Sequence, residues 1–383
     1  MKSPRLRADP KTFASDGFRF GAGTLAAGLL LIAAVFAAHF PAIHAGYIWD
    51  DDAFLYQNPI IMAPDGLYRF WFTTEASDYW PLTHTMFWLE WRIWGDNPMP
   101  YHVGNIILHA VAVLLLWRVF ARLGLDEIGA YLAAMIFAVH PVTVESVAWI
   151  SERKNVLSLS LYLLSILAYF RFEDRGSRRW YVLALLAAAA ALLAKVSVMT
   201  LPVVLLLCAW WRRGSLTGRD ILRTLPFFAM SLAMGLLEIW FVGQQASISG
   251  EVPRPEGFLS RIAASGWIVW FYLYKTLLPL NLSMVYPRWN VDGGNILSFV
   301  PLALLIGCFV VLWRRRTGWG RAPLAALGYF VITLGPVLGF MDMSFALYSL
   351  VADHLQYPAM PGIVALAGGW LGIAVRRVRQ GSS

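Results

Sequence analysis

Eleven apolar runs, at about 20–40, 101–121, 128–140, 156–171, 180–194, 197–211, 224–243, 261–280, 296–313, 323–340 and 359–375, constrain this chain more than any other feature. A run of about 20 apolar residues matches the hydrocarbon thickness of a bilayer. Backbone groups meet no water there, so only helices and closed barrels can span it. The runs predict an all-α polytopic integral membrane protein with about 10–11 transmembrane helices, forming a single membrane domain over residues 1–383. Composition agrees, because a chain that is 58% hydrophobic and only 14% charged is too apolar for a soluble globule.

Lys2, Arg5, Arg7, Lys11 and Arg19 precede the first run, so the positive-inside rule assigns residues 1–19 to the cytoplasm. That run is longer than a signal-peptide core and lacks a small-residue cleavage site, so it is read as a retained span. Basic clusters at Arg118/Arg122, 171–179, 212–223, 314–321 and 376–379 mark the cytoplasmic side. Three runs separate residue 223 from residue 314, although a return to the same side needs an even number of crossings. The run 261–280 carries Trp267, Trp270, Tyr272, Tyr274 and Lys275, residues of an interfacial belt, and is expected to be re-entrant or interfacial. The external side then receives the large loop 41–100, the loop 140–155, the Lys195 corner, the loops 244–260 and 281–294, and the stretch 341–358. Residues 376–383 form a short tail. Within the first loop, residues 83–94 predict an amphipathic helix lying along the membrane surface. The net charge of +8 sits beside apolar runs, a pattern of membrane anchoring rather than nucleic-acid binding. Cys208 and Cys308 fall inside apolar runs and suggest neither a disulfide framework nor a metal cluster.

The triplet Asp50-Asp51-Asp52 follows the first span. Adjacent carboxylates near an apolar boundary repel one another and lose solvation, which can raise one pKa and make it a base. A solvated loop start that satisfies topology is the plainer alternative. Arg153 and Lys154 defy the positive-inside bias, which an external anion such as a lipid phosphate would explain, unless they merely pair with Glu152. If 142–154 is one helix, Glu145 and Glu152 lie two turns apart, about 10 Å, and do different jobs. Lys195 either snorkels to the headgroups or shares a polar cavity with Ser197 and Thr200. Asp342, Asp353 and His354 stand near the last external loop, where His354 could contact phosphate or cap a helix. Glu238 and Lys275 fall inside apolar runs and are candidates for pairing across helices. These features describe an outward-facing cavity suited to glycosyl transfer from a polyprenyl-phosphate sugar. An acceptor hydroxyl would lose its proton to an aspartate, and Arg, Lys, His or a divalent metal would stabilise the departing phosphate.

The order Trp49-Asp50-Asp51-Asp52, Asn58-Pro59, Trp80-Pro81-Leu82-Thr83, His140-Pro141-Val142-Thr143-Val144-Glu145, Glu152-Arg153-Lys154-Asn155, then Lys195 with Thr200-Leu201-Pro202 resembles one known group. It is similar to the membrane part of the transmembrane O-mannosyltransferases that carry tetratricopeptide repeats, and especially to their bacterial relatives. Asn281-Leu282-Ser283 with Tyr286-Pro287, and Ala352-Asp353-His354 with Tyr357-Pro358, extend the likeness more loosely. The resemblance implies a type C glycosyltransferase-like membrane fold, a polyprenyl-phosphate-linked sugar donor, a catalytic aspartate in the first external loop, and a site facing the periplasm or exterior of a bacterial inner membrane. Carried over, the acidic pair falls on two of Asp50, Asp51 and Asp52, with Asp51 as base and Asp50 or Asp52 as a possible ligand of a divalent metal. Arg153, Lys154, Lys195 and His354 would bind the donor phosphate. His140, Glu145, Glu152, Trp80 and Asp353 would face acceptor or substrate. Bacterial relatives often have His where this chain has Trp80. The chain ends at Ser383 without tetratricopeptide repeats, so a glycan or lipid acceptor is expected ahead of a protein one. The rival expectation is a transporter or flippase of lipid-linked saccharide, which predicts matched halves with broken helices near the midplane.

Overall fold

All eleven apolar runs are helical in the computed structural model, which describes residues 21–249, 254–341 and 343–381. The α-helices are α1 (Ala22–His39), α2 (Pro59–Met62), α3 (Gly66–Phe72), α4 (Pro81–Trp94), α5 (Pro98–Arg122), α6 (Glu127–Val139), α7 (Thr143–Ala148), α8 (Arg153–Arg175), α9 (Arg178–Ala194), α10 (Leu201–Arg213), α11 (Gly218–Ser249), α12 (Phe258–Leu277), α13 (Val300–Arg314), α14 (Arg321–Leu334) and α15 (Met360–Gly381). No strand occurs among the described residues. Six segments are long and apolar enough to cross a bilayer: Ala22–His44, Pro98–Arg122, Ile150–Arg175, Val196–Arg213, Gly218–Gln244 and Ile296–Arg314. Leu25, Leu29 and Leu30 on α1, Leu232, Leu236 and Ile239 on α11, and Leu304 and Val311 on α13 are all exposed. Such a belt is intolerable in water and natural against lipid. The chain is an integral membrane protein.

The basic clusters collect at one end of the bundle. Arg122 pairs with Asp174, Arg212 with Glu173 and Asp174, Arg376 with Asp126, and Arg321 donates to the carbonyl of Trp211. The loops gather at the opposite end, and both ends of α12 lie among them. Near its start, Ser260 Oγ accepts from the Gly293 amide at 3.0 Å, and Arg261 bonds the carbonyl of Arg254, whose own guanidinium reaches Gly339. Near its finish, the Thr276 carbonyl accepts from His140 and the Thr276 hydroxyl bonds Gln356. Both ends of this helix therefore lie among the loops, and it is not one of the six segments long and apolar enough to cross a bilayer.

Small residues set the closest helix contacts. Ala184, Ala187, Ala188 and Ala191 form a buried face of α9 against α8, where the Ser165 hydroxyl donates to the Ala184 carbonyl at 2.7 Å. On α15, a Cβ built at Gly368 would stand 2.5 Å from the Ala133 nitrogen, and one at Gly372 would stand 2.8 Å from the Gly129 backbone. This is the small-xxx-small packing of membrane helices, in which the backbones themselves touch. Gly368→Val must push α15 off α6. We expect it to cost about 1–3 kcal/mol, read as a lower melting temperature in detergent; an unchanged melting temperature would refute this contact.

The first loop folds over the loop end. The Asn58 side chain accepts from the amides of Ile60 and Ile61 and Pro59 takes the first helical position, so the Asn-Pro pair starts α2 as a cap. The amphipathic stretch anticipated at 83–94 is α4. Thr83 ties it to the bundle by donating to the carbonyl of Ala194 at 2.9 Å, directly beside Lys195.

Candidate active site

A cavity of about 400 Å³ opens where these loops meet, and Asp50, Trp80, Glu152, Lys154, Lys195 and His354 are among its walls. Its first-loop wall depends on an unusual turn. Trp49 adopts φ +51°, a left-handed conformation that a bulky residue takes only when its surroundings impose it. The two aspartates that follow then part company. Asp51 is fully buried: its Oδ1 accepts from the Ser151 amide at 2.8 Å and from the Ser151 hydroxyl at 2.5 Å, and its Oδ2 accepts from the Ile48 amide at 3.0 Å. Asp50 faces the cavity, and its Oδ1 has no hydrogen-bond partner. Burial raises the Asp50 carboxyl to about 6; Lys154 pulls the other way, while Glu152 and Asp51 push it further up. Asp52 turns to its own short π-helix, accepting from the Ala53 amide, and does not line the cavity.

Opposite stands a compact set of charges centred on Glu152, which is 1% exposed. Its carboxylate lies 2.6 Å from the Lys154 ammonium, 3.5 Å from that of Lys195 and 3.9 Å from His354 Nε2. Lys154 also donates to the Ser151 carbonyl and sits 4.8 Å above the Trp80 ring, an attractive placement for a cation. Asn155 joins the set, accepting from Lys195 at 2.7 Å while its amide bonds Glu152 and the carbonyl of His354. Burial lowers the Lys195 pKa, and Glu152 opposes that shift.

The stretch 142–154 is not one helix. α7 stops at Ala148, Trp149 is extended, a 3-10 turn covers Ile150–Glu152, and α8 begins at Arg153. Glu145 and Glu152 consequently approach His354 from two sides rather than standing apart on one face. Glu145 holds the His354 backbone amide at 2.9 Å and its Nδ1 at 2.8 Å, which presents Nε2 toward Glu152.

Other sequence expectations are displaced. Arg153 is fully buried away from the cavity, paired with Glu90 and donating to Asn105 and to the Tyr101 carbonyl. His140 bonds the Thr276 carbonyl at 3.0 Å and does not line the cavity. Asp353 accepts from the Tyr286 hydroxyl, and burial, aided by Glu145, raises it to about 6; it supports the wall from behind. Glu238 and Lys275 do not pair. Lys275 donates to the carbonyls of Leu280 and Asn281, whereas Glu238 lines the cavity. Asp342 lies outside the described residues. Trp80, Lys154, Lys195, His354 and Glu152 line the one cavity.

Sequence reasoning passed over Asp78, Glu90 and Ser151. Asp78 lines the cavity, and its place two residues before Trp80-Pro81 was the available signal. Glu90 was legible only as one charge on an amphipathic helix. As for a divalent ion, no group of three His, Cys, Asp or Glu side chains among the described residues is placed to hold one. Asp50 offers a single carboxylate, and the residues present do not make a ligand set for a metal.

Comparison with known proteins places this arrangement. Residues 78–240 match the profile of the dolichyl-phosphate-mannose-protein mannosyltransferases. The chain is 25% identical over 275 residues to protein O-mannosyl-transferase F38B6.6 of Caenorhabditis elegans, covering 67% of this chain and 39% of that protein. The chain is thus similar to the protein O-mannosyl-transferases over part of its length. It is 24% identical to protein O-mannosyl-transferase TMTC3 of Homo sapiens over 91% of this chain and 43% of that protein, and 32% identical to Tmtc1 of Drosophila melanogaster over 49% and 23%. It thus spans less than half the length of each of these relatives. The profile match begins at Asp78 and ends two residues beyond Glu238, so it takes in every cavity carboxylate except Asp50.

Proposed function

We propose that this protein transfers mannose from a polyprenyl-phosphate donor to a hydroxyl of a protein acceptor, at the external face of the membrane. The observation that carries the reading is that Asp50, whose Oδ1 has no hydrogen-bond partner, lines one cavity with the two ammonium groups held around Glu152. Asp50, rather than Asp51, is the base, because both oxygens of Asp51 are committed to holding the loop. The acceptor hydroxyl gives its proton to Asp50, and its oxygen attacks the anomeric carbon. The bond from that carbon to the phosphate oxygen breaks, and its electron pair leaves with the phosphate. Lys154 and Lys195 stabilise the charge that develops there, in a cavity walled by aromatic rings where such contacts are strong. A direct displacement of this kind inverts the anomeric configuration. The names of the relatives support a protein acceptor over the glycan or lipid acceptor.

The base must be deprotonated to act. Its acid form dominates below its pKa of about 6, so transfer should fall about tenfold per pH unit below that value and level off above it. The protein purified in detergent with labelled polyprenyl-phosphate mannose and a Ser/Thr-rich acceptor peptide tests the reading. Labelled peptide with inverted linkage is expected, whereas donor left intact at every pH defeats the proposal.

A further inference from the structure

We propose that Glu238 and Asp78 form a hydroxyl-recognition wall that selects the sugar, with Glu238 as its main specificity determinant. The inference rests on the glycosyl-transfer reading above and names residues that this reading leaves idle. Glu238 sits within α11, in a segment long and apolar enough to span the bilayer, where a carboxylate is costly and is kept for a purpose. It is 9% exposed, its Oε2 is buried without a partner, and it lines the cavity. Asp78 joins it from the first loop, and the charges of Asp78 and Lys195 act on Glu238.

An unpaired buried acceptor implies a ligand that donates hydrogen bonds, since leaving it unsatisfied costs what the missing bond would have supplied. Two features choose between donor classes. A cationic ligand would share the cavity with the ammonium groups of Lys154 and Lys195. A neutral polyol carries no such penalty, and its adjacent hydroxyls can donate to both oxygens of one carboxylate. The cavity volume of about 400 Å³ lies within the range of small-molecule sites. Trp80 and Trp149 also line the cavity. The phosphate end of the donor then lies toward Lys154 and Lys195, and the hydroxyl-bearing edge toward α11.

The test is a series of short-chain polyprenyl-phosphate mannose analogues, each lacking one hydroxyl, titrated by calorimetry against the detergent-purified wild type, Glu238→Gln and Glu238→Leu. One analogue should bind the wild type about ten- to a hundredfold more weakly than the parent, and the same deletion should cost almost nothing in Glu238→Leu. Glu238→Gln, which keeps an acceptor oxygen, should fall between them, and melting temperatures show whether each variant is folded. If every analogue loses affinity equally in wild type and variants, the wall does not read the sugar, and the transfer reading survives. If the wild type binds no mannosyl phosphate lipid at all, the transfer reading fails, and this inference with it.

Discussion

Asp50→Asn is expected to lower mannosyl transfer by about a hundredfold to ten-thousandfold, the range over which a positioned general base contributes, while leaving expression and melting temperature close to wild type. The reason is local. Asn keeps the size of the side chain and an acceptor oxygen for Ser151, and the Asp50 Oδ1 has no hydrogen bond to lose. Asp51→Asn should behave in the opposite way. One of its two oxygens becomes a donor facing either the Ile48 amide or Ser151, whose groups already donate to it. An unsatisfied buried donor costs about 1–3 kcal/mol, so the melting temperature should fall, and activity should fall only as far as the loop is displaced. Turnover of the folded fraction, normalised to monodisperse protein, separates the two cases. A fully active Asp50→Asn would remove Asp50 from the chemistry.

The same pair shows where sequence reasoning stops. The apolar runs and the basic clusters carried the helices and the two ends of the bundle, because span length and charge asymmetry act through the solvent and need no knowledge of neighbours. The motifs carried the loops that build the site, and Lys154, Lys195, Glu152, His354 and Trp80 meet there. Which of three consecutive aspartates faces the cavity was not legible, since it depends on the left-handed turn at Trp49 and on Ser151, a hundred residues away. The approach of Glu145 and Glu152 to one histidine was hidden for a related reason: the extended residue at Trp149 interrupts a stretch whose spacing suits a helix. Glu238 read as one half of an ion pair because a lone carboxylate in a span calls for a partner; its surroundings show an open cavity instead.

Arg153 and Lys154 are neighbours in sequence and should be opposites in experiment. Lys154→Met is expected to weaken binding of polyprenyl-phosphate mannose about ten- to a hundredfold, with the fold retained, because Glu152 keeps Lys195 at 3.5 Å and His354 at 3.9 Å and no charge is stranded. Arg153→Met strands several groups at once. Glu90 loses its cation, Asn105 Oδ1 and the Tyr101 carbonyl lose their donors, and the guanidinium that fills the space against Gly104 is gone. Removing one partner of a buried pair costs about 3–5 kcal/mol, a large part of the stability of a typical domain. The expected result is a low yield of monodisperse protein whose folded remainder binds the donor as wild type does. Arg153→Met with wild-type melting and no donor affinity would put the guanidinium back in the phosphate site. The physical distinction is one of access: α8 begins at Arg153, one residue after the cavity charge Glu152, so its first side chain is directed into the protein against α4 and α5, and its second into the cavity.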